Sequence, residues 1–350
     1  MKTYLKIIFN FFGVLLPVNQ ILQISTSTKS KNILMICHGE ISIPPNGWGA
    51  VEKIASDMAL LLAKNDFNVF ILNSKSIFRW ISLIFKKFDY IFLHDDTKIV
   101  QARIFWPKYK IILFSHYGYA GFDSNWTSKY RKRVKFQFQL TNLIVCLSPK
   151  IVQTFSRYLD NKKLILLPNG IHISKLKIER DLLDSTGNKL ICLGKVEPRK
   201  KQYELLEAII NTPINIDFIG PIVDKRIIRL INQDDSVGSY FKGEMSRQEI
   251  TKIFSRYTCL IHVSEAEADA LVLYEAQLAG LSLILTENSI GSQDISLPWI
   301  RVIPNNFQID DIKLALDTII FDRYKVSNFA KNNYDWNYRL APLLERLTTL

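Results

Sequence analysis

From Asn32 onward, short apolar runs alternate with longer amphipathic stretches, the pattern of βαβ units that build a parallel sheet. Strands are predicted at Asn32–Cys37, Asn68–Leu72, Tyr90–Leu93, Lys110–Phe114, Leu143–Leu147 and Leu164–Leu166, with helices between them, notably over Gly49–Lys64 and Trp126–Thr141. After Pro168-Asn169-Gly170 the chain runs through a polar, weakly patterned stretch, Ser174–Asn188, which reads as a linker. The alternation then resumes. Strands are predicted at Leu190–Leu193, Ile216–Ile219, Cys259–Val263 and Ser282–Leu285, and helices at Lys200–Ile210, Arg247–Phe254 and Ala270–Ala279. The expected fold class is α/β, as two Rossmann-like domains, with ligands beyond the carboxyl ends of the strands.

The first 24 residues break this pattern. Lys2 and Lys6 stand ahead of and within a mostly apolar stretch containing IIFNFFGVLL, the outline of a signal peptide or signal anchor. Asn10 and Pro17 interrupt the run and no small-residue cleavage site follows; its length is marginal for a bilayer core of about 30 Å. Residues 1–30 are therefore expected to form an extra N-terminal helix or an interfacial anchor.

Composition narrows the function classes. A chain of 350 residues exceeds one ordinary α/β core, and 48% hydrophobic with 22% charged residues describes a folded globular protein. The excess of 45 Lys and Arg over 33 Asp and Glu, a net +12, suits nucleic acid, an anionic membrane surface or phosphorylated substrates. The basic residues are dispersed and carry no nucleic-acid recognition motif, so nucleic acid ranks last. Arg131, Lys132, Arg133 and Lys135 fall on one predicted helix, and SIFRWISLIFKKF (Ser76–Phe88) mixes aromatic and basic residues; each reads as a solvated helix face or as a contact with lipid headgroups. Cys37, Cys146, Cys192 and Cys259 sit far apart in apolar runs, which matches no zinc or disulfide framework and predicts buried, reduced thiols in a compartment such as the cytosol.

Four strand exits carry candidate chemistry. In HGEISIPPNGWGAVEK, Gly47 and Gly49 let backbone amides approach an anion at a helix start, but the spacing is not GxGxxG and NAD is disfavoured. LFSHYG places His116 at a carboxyl end, where it can bond a substrate hydroxyl; His38 and His94 also end strands, and a structural role suits any of the three. LGKVEPRKKQ ends a strand at Gly194 and sets Lys195 and Lys200 beside a helix start, where two ammonium groups can neutralise a diphosphate; Arg199 and Lys201 read as solvent-exposed. HVSEAEADALVLYEAQLAG places Glu267 in a loop and Glu275 one turn into a helix, both able to bond sugar or ribose hydroxyls, with the amides of Asp269, Ala270, Leu271 and Val272 available to phosphate. Singly, each carboxylate also reads as a solvated or dipole-favourable residue.

Taken together, NGWGAVE, FSHYG, LSPKIVQTF, LPNGI, GKVEPRK, FIGP and EADALVLYE, in that order from Asn32 to the C-terminus, resemble the family 4 glycosyltransferases of the GT-B fold. The resemblance implies two Rossmann-like domains facing across a cleft: residues 31–173 on the acceptor side, residues 174–325 on the nucleotide-sugar side, and a C-terminal segment 326–350 crossing back to the first domain. By resemblance Lys195 and Lys200 hold the donor diphosphate, Glu267 contacts the transferred sugar, Glu275 binds the ribose, His116 approaches the sugar, and Gly47 and Gly49 line the cleft. Transfer is implied to a glycan, lipid-linked or protein acceptor, with retention of anomeric configuration, no metal and no cofactor beyond the nucleotide-sugar substrate. The implied setting is cytoplasmic, with peripheral membrane contact as a further option. Ala268 and Ala270 replace the usual glycines, Asp269 an aromatic, and Lys201 the glycine after the motif lysine. A nucleotide-sugar epimerase or hydrolase of the same fold, or a glycan- or nucleotide-binding member without turnover, remains an alternative.

Overall fold

The computed structural model describes residues 4–7, 18–25, 31–173 and 189–350. The linker expected at Ser174–Asn188 lies outside the described residues. The chain divides into two compact units, Met1–Asn169 together with Trp336–Leu350, and Gly170–Asp335.

The first unit holds an eight-stranded sheet built from β1 (Tyr4–Ile7), β2 (Asn19–Ser25), β3 (Lys31–Cys37), β4 (Phe67–Ser74), β5 (Tyr90–Leu93), β6 (Lys110–Ser115), β7 (Leu143–Cys146) and β8 (Leu164–Leu166). Their spatial order is β1-β2-β4-β3-β5-β6-β7-β8. β3, β5, β6 and β7 are continuous apolar runs because helices cover both faces of a parallel sheet, so no strand face is left to water. The order turns at β3, which pairs in parallel with β4 on one side and β5 on the other. Loops leaving β3 and β5 therefore part, and a crevice opens between them.

The N-terminal expectation is corrected where the residues are described. Asn19–Ser25 is a strand, antiparallel to β4, and not a helix. The reason is its period of two: Leu22 and Ile24 are buried while their neighbours are not. This strand supports the loop after β3. Gln20 Oε1 accepts from Ile43 N at 2.9 Å and from Asn73 Nδ2 at 3.0 Å, Asn73 Nδ2 also donates to the Ile41 carbonyl at 2.8 Å, and Asn73 Oδ1 accepts from Gly39 N at 2.8 Å.

The predicted helix Trp126–Thr141 is also broken up. It is α-helical only over Ser128–Lys132, passes into a π turn at Arg133–Gln137 and closes with a 3₁₀ turn at Phe138–Leu140. Arg131 and Arg133 are not a solvated face: Arg131 donates to the Asp123 carbonyl at 2.6 Å, and Arg133 pairs with Asp96 at 2.8 Å.

The second unit carries β9 (Lys189–Leu193), β10 (Asn215–Ile219), β11 (Cys259–His262), β12 (Ser282–Thr286) and β13 (Ile300–Ile303), all parallel, in the order β10-β9-β11-β12-β13. Alternate residues feed opposite faces: Leu190, Cys192 and Ile261 join one core, and Ile191, Leu193 and Leu260 the other. β13 is an addition to the predicted set. The helix Arg323–Asn333, within the segment expected to cross back, stays with this unit through Val326. The return comes at Trp336, and the C-terminal helix Ala341–Thr348 is tied to the first unit by the Tyr90 hydroxyl, which donates to the Leu347 carbonyl at 2.6 Å.

All four cysteines are buried free thiols, and burial pushes that of Cys192 up to about 12. Among the described residues no helix is long and apolar enough to cross a membrane.

Asn73 is the hub of the loop support, so Asn73→Ala strands the Gly39 amide and the Ile41 carbonyl. It is expected to lower stability by about 2–3 kcal/mol in urea unfolding. An unchanged midpoint would show that the strand does not hold the loop.

Candidate active site

In the second unit the strand order turns at β9, between β10 and β11. The exits of β9 and β11 part there, and they carry the residues picked out by sequence. Gly194 ends β9 at φ +143, and a Cβ on it would sit 3.2 Å from Lys200 Nζ. Gly220 ends β10 at φ +144, and a Cβ on it would fall 2.2 Å from the Gly194 carbonyl oxygen. Two bare backbones thus press together so that the lysine can fold back over the strand end.

Lys200 closes a short 3₁₀ turn, Pro198–Lys200, and its ammonium lies 3.4 Å from Glu267 Oε1. Arg199 Nη1 lies 3.3 Å from the same oxygen and His262 Nε2 3.4 Å. Burial alone would raise the Glu267 carboxyl, but Lys200, His262 and Arg199 outweigh it and hold the group well below the usual carboxylate range. Burial lowers His262, so this histidine is neutral and the positive charge at Glu267 comes from Lys200 and Arg199.

The loop around Glu267 is fixed by backbone bonds. Arg199 Nη1 donates to the Ala266 carbonyl at 2.6 Å, Glu265 N to the Arg199 carbonyl at 2.8 Å, and Glu267 N to the Asn288 carbonyl at 3.1 Å. Arg199 is thus half-buried at the centre of the site, a correction to its reading as an exposed basic residue. Lys201 is corrected likewise: it is half-buried and donates to the Asn305 carbonyl at 2.8 Å. Lys195 faces Glu197 at 3.7 Å.

Glu275 lies in the helix Leu271–Leu278, buried and paired with Arg247, a partner the sequence reading did not identify. Arg247 begins its own helix, Arg247–Ile253, behind a capping box of Ser246 and Glu249, and that S-x-x-E spacing is the only signal that places it. Ala270 precedes Leu271–Leu278 without a side-chain cap, which leaves the first turn's amides, at Leu271 and Val272, open to an anion. Asp269 is not a solvated loop acid. Both its oxygens accept from the Tyr274 hydroxyl at 2.7 Å, and Oδ1 accepts from Ser292 N at 3.1 Å.

In the first unit Gly49 has φ +122, and a Cβ there would meet Glu52 Oε2 and Ile41 Cγ2 at 3.2 Å; Gly47 is half-buried in the same loop. His116 follows β6, and its Nε2 lies 3.0 Å from Nδ1 of the buried His94. Burial, then the charge on His38, pushes His116 down to about 3, and burial lowers His94 as well, so both rings are neutral. A third histidine stands differently. His38 Nδ1 lies 3.0 Å from Asp95 Oδ2 across the turn in strand order.

Lys201 occupies the left-handed region at φ +49, a conformation that costs a side chain roughly 1–2 kcal/mol. Replacement by Gly is expected to hold stability within about 1 kcal/mol, whereas Val should destabilise by roughly 1–3 kcal/mol because its branched Cβ crowds the backbone. Equal melting behaviour of the two variants would contradict this. Gly220→Ala should unfold at markedly lower denaturant than either.

Residues 174–336 match the family model described as glycosyl transferases group 1. No curated protein matches the chain. Among solved structures, sucrose-phosphate synthase from Thermosynechococcus elongatus superposes with a TM-score of 0.74 at 13% identity, over 91% of this chain and 100% of that one. Anabaena Alr3699/HepE in complex with UDP-glucose gives 0.69 at 14%, over 91% and 100%. AviGT4, a glycosyltransferase involved in avilamycin A biosynthesis, gives 0.67 at 13%, over 91% and 97%. At these identities the likeness is one of fold, the GT-B fold.

Proposed function

We propose that this chain, whose residues 174–336 match the group 1 glycosyl transferases on a GT-B fold, moves a sugar from a nucleoside diphosphate to an acceptor hydroxyl with retention of anomeric configuration. The observation that carries the reading is the pairing of Lys200 and Arg199 on Glu267 at the turn in strand order, 3.4 and 3.3 Å from one carboxylate oxygen. A diphosphate needs fixed positive charge at the leaving oxygen. Lys200, Arg199 and the amides of Leu271 and Val272 supply it, with Lys195 at the margin. Glu267, kept ionised by these cations, faces the transferred sugar, and Glu275, oriented by Arg247, accepts from the ribose hydroxyls.

The Gly47–Gly49 loop and His116 serve the acceptor side of the reaction. No metal is required in this scheme because side-chain cations carry the charge. UDP-sugars are the first donor class to test, since a UDP-glucose complex is among the similar structures. The epimerase, hydrolase and non-catalytic readings have no observation of their own in their favour.

Peripheral membrane contact belongs to the same proposal. In the segment after β4, Trp80, Leu83 and Phe88 anchor in the core while Phe78 and Phe85 stand 78% and 93% exposed beside Arg79, Lys86 and Lys87. Exposed aromatics among basic residues suit the headgroup region of an anionic bilayer.

Transfer from UDP-glucose to a panel of alkyl glycosides, with chelator present, tests the activity. Glu267→Gln and Lys200→Ala are each expected to lower kcat/KM by about 10²-fold or more with the fold intact. Full turnover in both, or no transfer from any nucleotide sugar, would defeat the reading. For the membrane contact, sedimentation with phosphatidylglycerol vesicles should carry down the native protein and leave a Phe78→Ser, Phe85→Ser variant in solution; equal partition would remove the lipid role.

A further inference from the structure

Arg247 owes its place to the second sheet. Residues 240–243 run parallel to β10 along its outer edge: Phe218 N donates to the Tyr240 carbonyl at 2.8 Å, Lys242 N to the Phe218 carbonyl at 2.9 Å, and Gly220 N to the Gly243 carbonyl at 2.8 Å. The chain past Gly243 therefore leaves from the same end of the sheet as Gly194 and Gly220, the end where Lys200 folds over its strand. Its course is then fixed. Met245 packs on the core that holds Leu273 and Ala276. The capping box of Ser246 and Glu249, and the Thr251 hydroxyl, which donates to the Arg247 carbonyl at 2.8 Å, set the backbone from which the guanidinium extends.

From there Arg247 Nη1 reaches Glu275 in the helix Leu271–Leu278. The pair links the exit outside β10 to the helix that follows β11, and the exits of β10 and β9 lie between them. Glu275 stands one turn along that helix from Leu271, about 6 Å past the amides that suit a phosphate. One donor on Arg247 is left over: its Nε is buried and has no hydrogen-bond partner among the described residues. A buried N–H without an acceptor is costly, and a ligand that supplies one recovers that cost. A guanidinium donates and never accepts. It therefore favours a ring edge that presents a carbonyl oxygen and opposes one that presents an amino group.

We propose that Arg247 is a specificity-determining residue that donates from Nε to a carbonyl oxygen of the nucleobase, so that the site prefers keto bases such as uracil to amino bases such as cytosine. This rests on the glycosyltransferase reading, in which Arg247 only orients Glu275 and the base has no partner. With the diphosphate on Lys200, Arg199 and the helix amides, and the ribose on Glu275, the base is what remains of the nucleotide. It is bonded directly to the ribose that Glu275 holds, and Arg247, in contact with Glu275, is within reach of it.

Uracil and cytosine isolate this contact. Uracil carries a carbonyl oxygen where cytosine carries an amino group, while UDP and CDP share the same ribose, diphosphate and charge. Any effect of Arg247 on Glu275 or on a phosphate acts on both ligands and cancels in the ratio of their affinities. Lysine at position 247 isolates the atom. Its side chain places a methylene where arginine has the Nε–H, yet still offers Glu275 a cation.

Calorimetric titration of the full chain with UDP and with CDP makes the test. The native protein should bind UDP about 10-fold or more tighter than CDP, and Arg247→Lys should bring that ratio close to one. The double variant Arg247→Ala, Glu275→Gln removes both charges of the pair, so no buried carboxylate is stranded, and its ratio should also lie close to one. Equal affinity of the native protein for the two ligands, or a preference for UDP that survives in either variant, would overturn the assignment. Failure of the native protein to bind any nucleoside diphosphate would instead sink the parent reading, and this one with it.

Discussion

A parallel sheet whose strand order turns in its interior cannot carry both neighbouring loops to the same side. The two exits must part, and the gap between them is where polar groups can gather without being packed away. Each unit of this protein uses that constraint once. In the first sheet the turn at β3 brings together His38 and Asp95; in the second, the turn at β9 brings together Lys200, Arg199, His262 and Glu267. The apolar strands are the means, and the parted loops are where the chemistry is concentrated.

The two clusters differ in electrical character. At Glu267 one buried carboxylate lies against Lys200 and Arg199, which hold it well below the usual carboxylate range. At His38 a buried acid is matched by an imidazole whose pKa its hydrogen bond raises. The first arrangement suits holding a polyanion, as the proposed transfer from a phosphorylated donor requires.

Much of this was legible in the sequence. Fully buried parallel strands read as unbroken apolar runs, and the glycines and charged residues that follow them mark the exits, which is why Gly194, Lys200, Glu267 and Glu275 stand at or beside the second site. What the pattern hid was partnership. Arg199 looked like one more exposed base because nothing local indicates that its guanidinium reaches back to the Ala266 carbonyl. Arg247 and Glu275 are distant in sequence, so neither announces the other. The strand Asn19–Ser25 was obscured by the apolar stretch before it, although its own alternation was present in NQILQIS. Lys201 adopts a backbone conformation more usual for glycine, and no propensity rule reports that.

The loop from His262 to Ala270 bears three carboxylates in its sequence, yet its formal charge is a poor guide to the field an approaching ligand meets. Asp269 is engaged inward by the Tyr274 hydroxyl, and Glu267 is already matched by Lys200 and Arg199. A nucleotide arriving here would find its cations already engaged. Association becomes a swap of counterions, in which the ligand shares the ammonium and guanidinium with the resident carboxylate, and departure restores the old pairing. On the proposed reading, such a site would recognise a diphosphate without retaining it, as repeated turnover demands.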